Sequence, residues 1–193
     1  MSVAGLVLAA GAGTRFGRPK ALVEYRGATL LDRAVTILRE GGCETVYGVL
    51  GISAYAARAR SATAFTPVYN PRWHTGMGSS LRAGLAALDR EHEGVVVLLV
   101  DQPGISPVSV RRVREAHALG ALVAMAVYNG RRGHPVCFDR GLWPEIAEAA
   151  HDDVGAREFL RAHPDLITEV ACDGLGDPRD IDTPADLARL RRR

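Results

Sequence analysis

Apolar and polar positions along this chain fall into short, regular blocks. Residues 3–10, VAGLVLAA, are continuously apolar, the mark of a buried strand, and run directly into a glycine-rich loop. TLLDRAVTILREGG (29–42) carries apolar residues at helical spacing behind a Thr29-x-x-Asp32 cap and stops at Gly41-Gly42. A strand over 45–51, a short helix over AYAARAR (54–60) and a third strand over FTPVYN (65–70) follow. Helical spacing returns over 78–91, and GVVVLLV (94–100) is the block expected at the centre of a sheet, being continuous and β-branched. A helix over 107–118 leads to a strand, ALVAMAV (121–127). A turn at NGRRG and the returning HPVCF (134–138) then make a hairpin pattern. Two short helices around 142–150 and 155–162, a strand LITEVA (166–171) and the closing DIDTPADLARLRRR complete the chain.

Strands alternating with helices predict an α/β fold: a mostly parallel sheet with helices on both faces and at least one antiparallel strand. No linker, internal repeat or low-complexity tract interrupts the pattern, so a single domain over 1–193 is expected.

Composition narrows the function classes. A net charge of +2 argues against a general nucleic-acid-binding surface, and the basic RLRRR terminus suits the C-terminal end of a helix. No apolar run approaches the ~20 residues of a membrane span. The first residues lack the basic region of a signal peptide, so a cytoplasmic protein is expected. Cys43, Cys137 and Cys172 are far apart with no Cys-x-x-Cys or Cys/His metal spacing, which reads as reduced structural thiols. Of the 24 basic residues only Lys20 is a lysine. A compact ammonium and a planar guanidinium are not interchangeable at a tight anion site, so the one retained lysine marks a position where the difference matters.

Lys20 lies in LAAGAGTRFGRPKAL (8–22), which admits three phosphate-binding designs. A dinucleotide loop would use Gly11 and Gly13, but the third glycine, Gly17, comes one residue late. The second strand also ends VLGIS, without an acidic ribose reader. An arginine-reading NADP variant survives that objection. A P-loop requires Gly-Lys-Ser/Thr, and Gly17 is followed by Arg18-Pro19. A triphosphate cradle accommodates every residue. Its glycines let backbone N–H groups close on phosphates, Arg15 and Lys20 neutralise them, and Pro19 fixes the backbone ahead of Lys20.

Leu8, Ala9, Ala10, Gly11, Arg15, Phe16, Gly17 and Lys20 fit L-A-[AG]-G-x-x-x-R-[MF]-G-x-x-K, and here the chain resembles the MocA/MobA-like nucleotidyltransferases. These enzymes add cytidylyl or guanylyl groups to the molybdenum cofactor. The resemblance continues through NPRWHTGMGSSLRAGL (70–85), LLVDQP (98–103), GHPVCF (133–138), DDVGAREFL (152–160) and DIDTPADL (180–187). It implies a Rossmann-like fold of the nucleotide-diphospho-sugar transferase type. The implied reaction transfers a nucleoside monophosphate to the phosphate of a molybdopterin-type acceptor, releasing pyrophosphate, with Mg²⁺ as cofactor. The LAAG form resembles the cytidylyl branch and favours CTP. A recipient molybdoenzyme is a further implied partner.

The resemblance assigns Arg15, Lys20 and Asp101 to catalysis. It assigns Leu8, Ala9, Ala10, Gly11, Gly13, Arg15, Lys20, Asn70, Gly76 and Ser80 (in preference to Ser79) to the nucleotide. Asp101 and Asp182 would hold the metal, with Asp180 as the alternative to Asp182. Asp101 also has a local rationale, because it stands where an apolar strand meets solvent, the edge at which open α/β sheets bind ligands. Thr183-Pro184 reads equally as a helix start. Arg131, Arg132, His134 and Pro135 read either as a pterin-pocket wall or as a solvent-facing turn, and Trp73 and Trp143 read as packing in preference to stacking on a flat ring.

Competing functions stay open: a GTP-using guanylyltransferase for a related cofactor, an NAD(P)H-dependent oxidoreductase using Gly11–Gly17 as its pyrophosphate loop, and a non-catalytic cofactor chaperone. The histidines at 74, 92, 117, 134, 151 and 163 are scattered, and no Ser/His or Cys/His pairing offers a protein nucleophile. A nucleophile supplied by the substrate fits that absence. Lys20, Asp101 and Asp182 together favour transfer, because hydride transfer needs no paired metal carboxylates.

Overall fold

The computed structural model describes residues 2–191; Met1 and the last two arginines of the basic terminus lie outside the described residues. In the first half of the chain the elements are β1 (Val3–Leu8), the short pair β2 (Glu24–Tyr25) and β3 (Ala28–Thr29), α1 (Leu30–Glu40), β4 (Val46–Leu50), α2 (Ala54–Arg60), β5 (Thr66–Tyr69) and α3 (Met77–Ala87). The second half contains β6 (Gly94–Leu99), α4 (Pro107–Ala118), β7 (Val123–Tyr128), β8 (Arg131–Asp139), α5 (Trp143–Ala149), α6 (Arg157–Ala162), β9 (Ile167–Ala171) and α7 (Pro184–Arg191).

Seven strands form one sheet in the order β5-β4-β1-β6-β8-β7-β9. β6 is its central strand, as its continuous apolar run predicts. β8 alone runs against the others, pairing antiparallel with both β6 and β7, while β1, β4, β5 and β6 pair in parallel and β7 pairs in parallel with β9. The hairpin turn is tighter than the NGRRG block predicts. Asn129 and Gly130 alone make it, both at positive φ (50° and 73°), and the return arm therefore starts at Arg131. Positive φ at two central residues suits the right-handed twist of the flanking strands. The small β2–β3 ribbon has no counterpart in the sequence reading; it turns on Arg26 and Gly27, also at positive φ.

Side chains alternate across β1 and sort into two cores. Val3, Val7 and Ala9 pack with α1, α4 and α7 on one face, whereas Ala4, Leu6, Leu8 and Ala10 pack with α3, α5 and α6 on the other. The expected cap of α1 is present: Thr29 accepts a hydrogen bond from the Asp32 amide at 3.0 Å. Asp32 also accepts from the Ser61 hydroxyl (2.5 Å) and the Thr63 amide (3.1 Å), tying the exit of α2 to the start of α1.

The C-terminal ends of β1, β4, β5 and β6 open along one edge, where the chain leaves as the glycine loop, Gly51, Asn70 and Asp101 respectively. This edge is drawn tight at Gly51, where a Cβ would lie 2.3 Å from the Ala10 carbonyl oxygen and 2.7 Å from Trp73 Cγ. Gly51→Ala is therefore expected to cost about 1–3 kcal/mol. At roughly 2–4 °C per kcal/mol for a chain of this size, thermal unfolding would register the loss, and an unchanged Tm would show that the edge has slack.

Candidate active site

The glycine loop closes on itself before it presents anything outward. The Phe16 and Gly17 amides both donate to the Gly13 carbonyl at 2.9 Å, and Phe16 is buried in the core beneath. Gly13 has φ +64°, and a Cβ there would stand 2.1 Å from the Arg18 carbonyl oxygen, so this glycine serves the loop's own closure. Around Gly11, by contrast, nothing lies within 4 Å of where a Cβ would be, leaving open space at the loop's outer side. Pinning Phe16 inward turns Arg15 outward, and Pro19 precedes a single 3₁₀ turn (Lys20–Leu22) that fixes the backbone of Lys20.

Lys20 reaches two carboxylates. Its Nζ donates to Asp101 Oδ2 at 2.8 Å and to Asp182 Oδ1 at 2.7 Å, and Arg15 Nη1 lies 2.9 Å from Asp182 Oδ2. Burial by itself would lower the pKa of the Lys20 ammonium. The charge and hydrogen bond of Asp101, followed by those of Asp182, outweigh burial and hold the pKa above the ordinary lysine value.

Residues so distant in sequence meet because two loops are clipped together. The Ile181 amide donates to the Asp101 carbonyl (2.8 Å) and the Asp177 amide to the Gly104 carbonyl (2.9 Å), while Ile105 and Gly176 form an antiparallel bridge. Gln102 Nε2 adds a bond to Asp180 Oδ1 at 2.8 Å. The helix start that Thr183-Pro184 suggests is real, but it uses other groups: the Thr183 amide and hydroxyl donate to Asp186 Oδ2 (2.8 and 2.7 Å). That cap leaves the Asp182 carboxylate free to face Lys20. Of the two candidates in DIDT, Asp182 joins the cluster and Asp180 turns to Gln102.

The donor set fits a hard divalent cation. Asp101 Oδ1 is buried with no hydrogen-bond partner, beside a second carboxylate held at the same point. Mg²⁺ is commonly held by one or two carboxylates, with phosphate oxygens and water completing the octahedron. Among the described residues no group of three or more His, Cys, Asp or Glu side chains gathers, so most of that octahedron would come from substrate and water.

Further assigned residues lie where the chain leaves β5 and enters α3. Buried Asn70 donates through Nδ2 to Ser79 Oγ (2.8 Å) and Ser80 Oγ (3.1 Å), and its Oδ1 accepts from the Arg72 amide, bracing the entrance of α3. Gly76 is pressed against the Asp152 backbone, which a Cβ would meet at 2.3 Å. Beside them opens a cleft of about 1360 Å³. Its floor is apolar, including Leu8, Leu81, Leu99, Met125, Val136 and Phe138, and Arg131, Arg132, Arg157, Arg161 and Arg179 line its rim. Gln102 and Asp180 connect it to the Lys20 cluster.

A model of the MobA-like NTP transferase domain matches residues 5–166. The chain belongs to that family. It is 42% identical to the nicotine blue oxidoreductase of Paenarthrobacter nicotinovorans over 197 aligned positions, covering 97% of this chain and 96% of that one. It is 31% identical to the molybdenum cofactor guanylyltransferase of Rhizobium johnstonii, covering 98% and 92% of the two chains. Among solved structures, Rv0371c from Mycobacterium tuberculosis H37Rv superposes with a TM-score of 0.88 at 32% identity, covering 100% of this chain and 99% of the other. The manganese complex of Rv0371c gives a TM-score of 0.83.

Within this MobA-like chain, Arg15, Lys20, Asp101 and Asp182 converge on one point, Leu8 reaches the cleft, and Asn70 and Ser80 meet each other. Asp182 lies beyond the matched residues 5–166, so its place rests on the clipped loops rather than on the family match. Of the hairpin residues read two ways, Arg131, Arg132 and His134 do line the cleft. Trp73 and Trp143 pack against the second core, as expected. The sequence reading missed Gln102, Arg157, Arg161 and Arg179; the i, i+4 spacing of Arg157 and Arg161 on a short helix was the one available signal.

His134 is partly accessible from the cleft but lies deep in it. Burial pushes its imidazole down to about 4; the Asp101 charge opposes that shift and the Arg157 charge adds to it. An unfolded-state histidine takes up its proton near 6.5, so between about 6.5 and about 4 the unfolded chain binds more protons and stability falls as the pH drops. Replacing His134 with Gln is expected to flatten the decline of Tm over that window relative to wild type. Parallel curves for the two proteins would place the pH dependence elsewhere.

Proposed function

We propose that the protein is a metal-dependent nucleotidyltransferase that moves CMP from CTP to the phosphate of a molybdopterin-type acceptor. The convergence of Lys20, Arg15, Asp101 and Asp182 at the C-terminal edge of the sheet carries this reading. A phosphate oxygen of the acceptor attacks the α-phosphorus, the bond from that phosphorus to the bridging oxygen breaks, and the electron pair leaves with pyrophosphate. Nothing in that exchange requires a protein nucleophile. The chain's part is to align two anions and compensate the charge that develops between them.

Arg15, exposed at the rim, and Lys20, fixed behind Pro19, supply positive charge to the triphosphate. Asp101 and Asp182 would hold Mg²⁺, which when bound polarises the phosphoryl oxygens. The open side of the loop at Gly11, with Leu8 to Ala10, supplies the approach for the nucleoside. The arginine-rimmed cleft, with its apolar floor, is suited to a flat acceptor carrying negative charge. The LAAG form of the loop supports CTP over GTP, and the absence of a membrane-length apolar helix among the described residues is compatible with a cytoplasmic setting.

A second reading rests on the full-length relative named an oxidoreductase: an NAD(P)H-dependent reductase that uses the same loop for a pyrophosphate. The two differ in what they need. Hydride transfer has no use for paired carboxylates bridged by a lysine, whereas nucleotidyl transfer uses all three groups.

A thermal-shift panel of CTP, GTP, NADH and NADPH, each with and without Mg²⁺, separates these readings. Ligand at 100 times its Kd adds about 2.7 kcal/mol, a rise of roughly 5–11 °C here. A shift with Mg-CTP that disappears in Asp101→Asn is the expected result; a metal-independent shift with NADPH alone would favour the reductase. In turnover assays Lys20→Ala should lose about 10²–10³-fold, the usual effect of removing one preorganised transition-state donor. A loss under threefold would remove Lys20 from the chemistry. Arg157→Gln with Arg161→Gln should raise KM for the acceptor at least fivefold and leave the Mg-CTP shift intact, and an unchanged acceptor KM would move the acceptor out of this cleft.

A further inference from the structure

Nζ of Lys20 occupies the point between Asp101 and Asp182 at which a cation shared by both carboxylates would sit. We propose that Lys20 holds this position against a bare divalent cation and gives it up only when nucleotide phosphates draw the ammonium away, so that metal and nucleotide bind together or not at all. This inference rests on the nucleotidyl-transfer reading and concerns the order in which that site fills.

Three observations carry it. The first is steric. A metal shared by both carboxylates through Asp101 Oδ2 and Asp182 Oδ1 would contact, at about 2.0–2.1 Å for Mg²⁺, the oxygens that the ammonium holds at 2.7–2.8 Å, so the two exclude each other there. The free Asp101 Oδ1 offers a bare cation one carboxylate only. The second is charge. The two carboxylates are already balanced by Lys20 and Arg15, whose ion pair with Asp182 is 2.9 Å long. A divalent cation entering alone would leave two positive charges uncompensated, whereas one entering with a triphosphate brings its own counter-charge and offers Lys20 new partners. The third is the choice of residue. In a chain that otherwise uses arginine throughout, this position carries the single lysine. A point charge on a flexible four-carbon stem can change partners, but a guanidinium facing two carboxylates would engage them through its planar fork and stay.

The test is a titration of the full chain with Mn²⁺, followed by water-proton relaxation. This readout separates free Mn²⁺, Mn²⁺ on nucleotide in solution and Mn²⁺ on protein without relying on turnover. Wild type is expected to bind bare Mn²⁺ at least tenfold more weakly than Lys20→Met, and to form the protein-bound species once α,β-methylene-CTP is added. Asp101→Asn in the Lys20→Met background should abolish the site so gained. Lys20→Arg, which keeps the charge and guards against misfolding of the Met variant, should bind Mn²⁺ weakly with or without the nucleotide analogue.

Wild type and Lys20→Met binding bare Mn²⁺ within twofold of each other would overturn the proposal. So would a wild type that binds the analogue but recruits no Mn²⁺ with it. Should thermal shift show no triphosphate binding at all, the nucleotidyl-transfer reading fails by itself, and the comparison of bare Mn²⁺ binding still decides whether Lys20 guards the carboxylates.

Discussion

Asp101 and Asp182 come from opposite parts of the chain and are held side by side at the end of the central strand, where their charges must be compensated. Backbone bonds enforce the meeting: Ile181 and Asp177 donate across to the Asp101–Ile105 turn, and Gly104 and Gly176 lack the side chains that would push the two loops apart. Lys20 and Arg15 then supply the compensation, and both are placed by the self-closure of the glycine loop around Gly13. The sheet gives this cluster its location, but the pairing of two loops gives it its composition. The family model's match ends at residue 166, before the second of those loops, so the matched segment and the full ion cluster do not coincide.

The bias toward arginine has a structural explanation that composition alone does not supply. Among the described residues seven arginines donate to backbone carbonyls of neighbouring segments: Arg33 to Pro103, Arg82 to Ala150, Arg111 to Glu40, Arg112 to Ala171, Arg114 to Gly41, Arg140 to Arg90 and Arg191 to Glu24. Several of these carbonyls lie at the ends of helices, where the last turn leaves acceptors without partners. A weakly hydrated, many-donor guanidinium on a long stem can satisfy them from a distance. Lysine serves that purpose poorly, and it survives at the one place where a compact charge is held between two carboxylates.

Much of the fold was legible because the strands are short, continuous and bounded by glycine or proline, so that block length sufficed to distinguish strand from helix. The central position of β6 and the lone antiparallel strand followed from the same pattern. The β2–β3 ribbon was not legible, since two residues a side carry no periodicity; only Arg26-Gly27 hinted at a turn. Within the site, Arg15, Lys20 and Asp101 were readable from spacing and resemblance. Resemblance preferred Asp182 to Asp180, but the residues themselves gave no physical reason, because the difference depends on Gln102 taking Asp180 and on Thr183 with Asp186 taking over the helix cap. The rim arginines were invisible for a related reason: exposed charges on a short helix look like a solvated face until a cleft is found beside them.

The same scaffold is shared by relatives named as a transferase and as an oxidoreductase, so fold and overall identity cannot separate the two chemistries. The separation has to come from groups that one reaction uses and the other has no need to keep. A glycine loop is a poor discriminator, because backbone amides serve a pyrophosphate or a triphosphate alike. The apolar cleft is poor for the same reason, since any flat conjugated ring would suit its floor. What remains is the carboxylate pair with its lysine. Bringing two like charges together at a loop junction costs stability unless a cation is supplied, and this chain supplies one from its single lysine. Neutral residues at 101 and 182 would in turn leave the mostly buried Lys20 and the adjoining Arg15 without the carboxylates they face, so the cluster is kept or lost as a unit. The cluster is the feature on which the two readings make different demands, and so the place where an experiment can tell them apart.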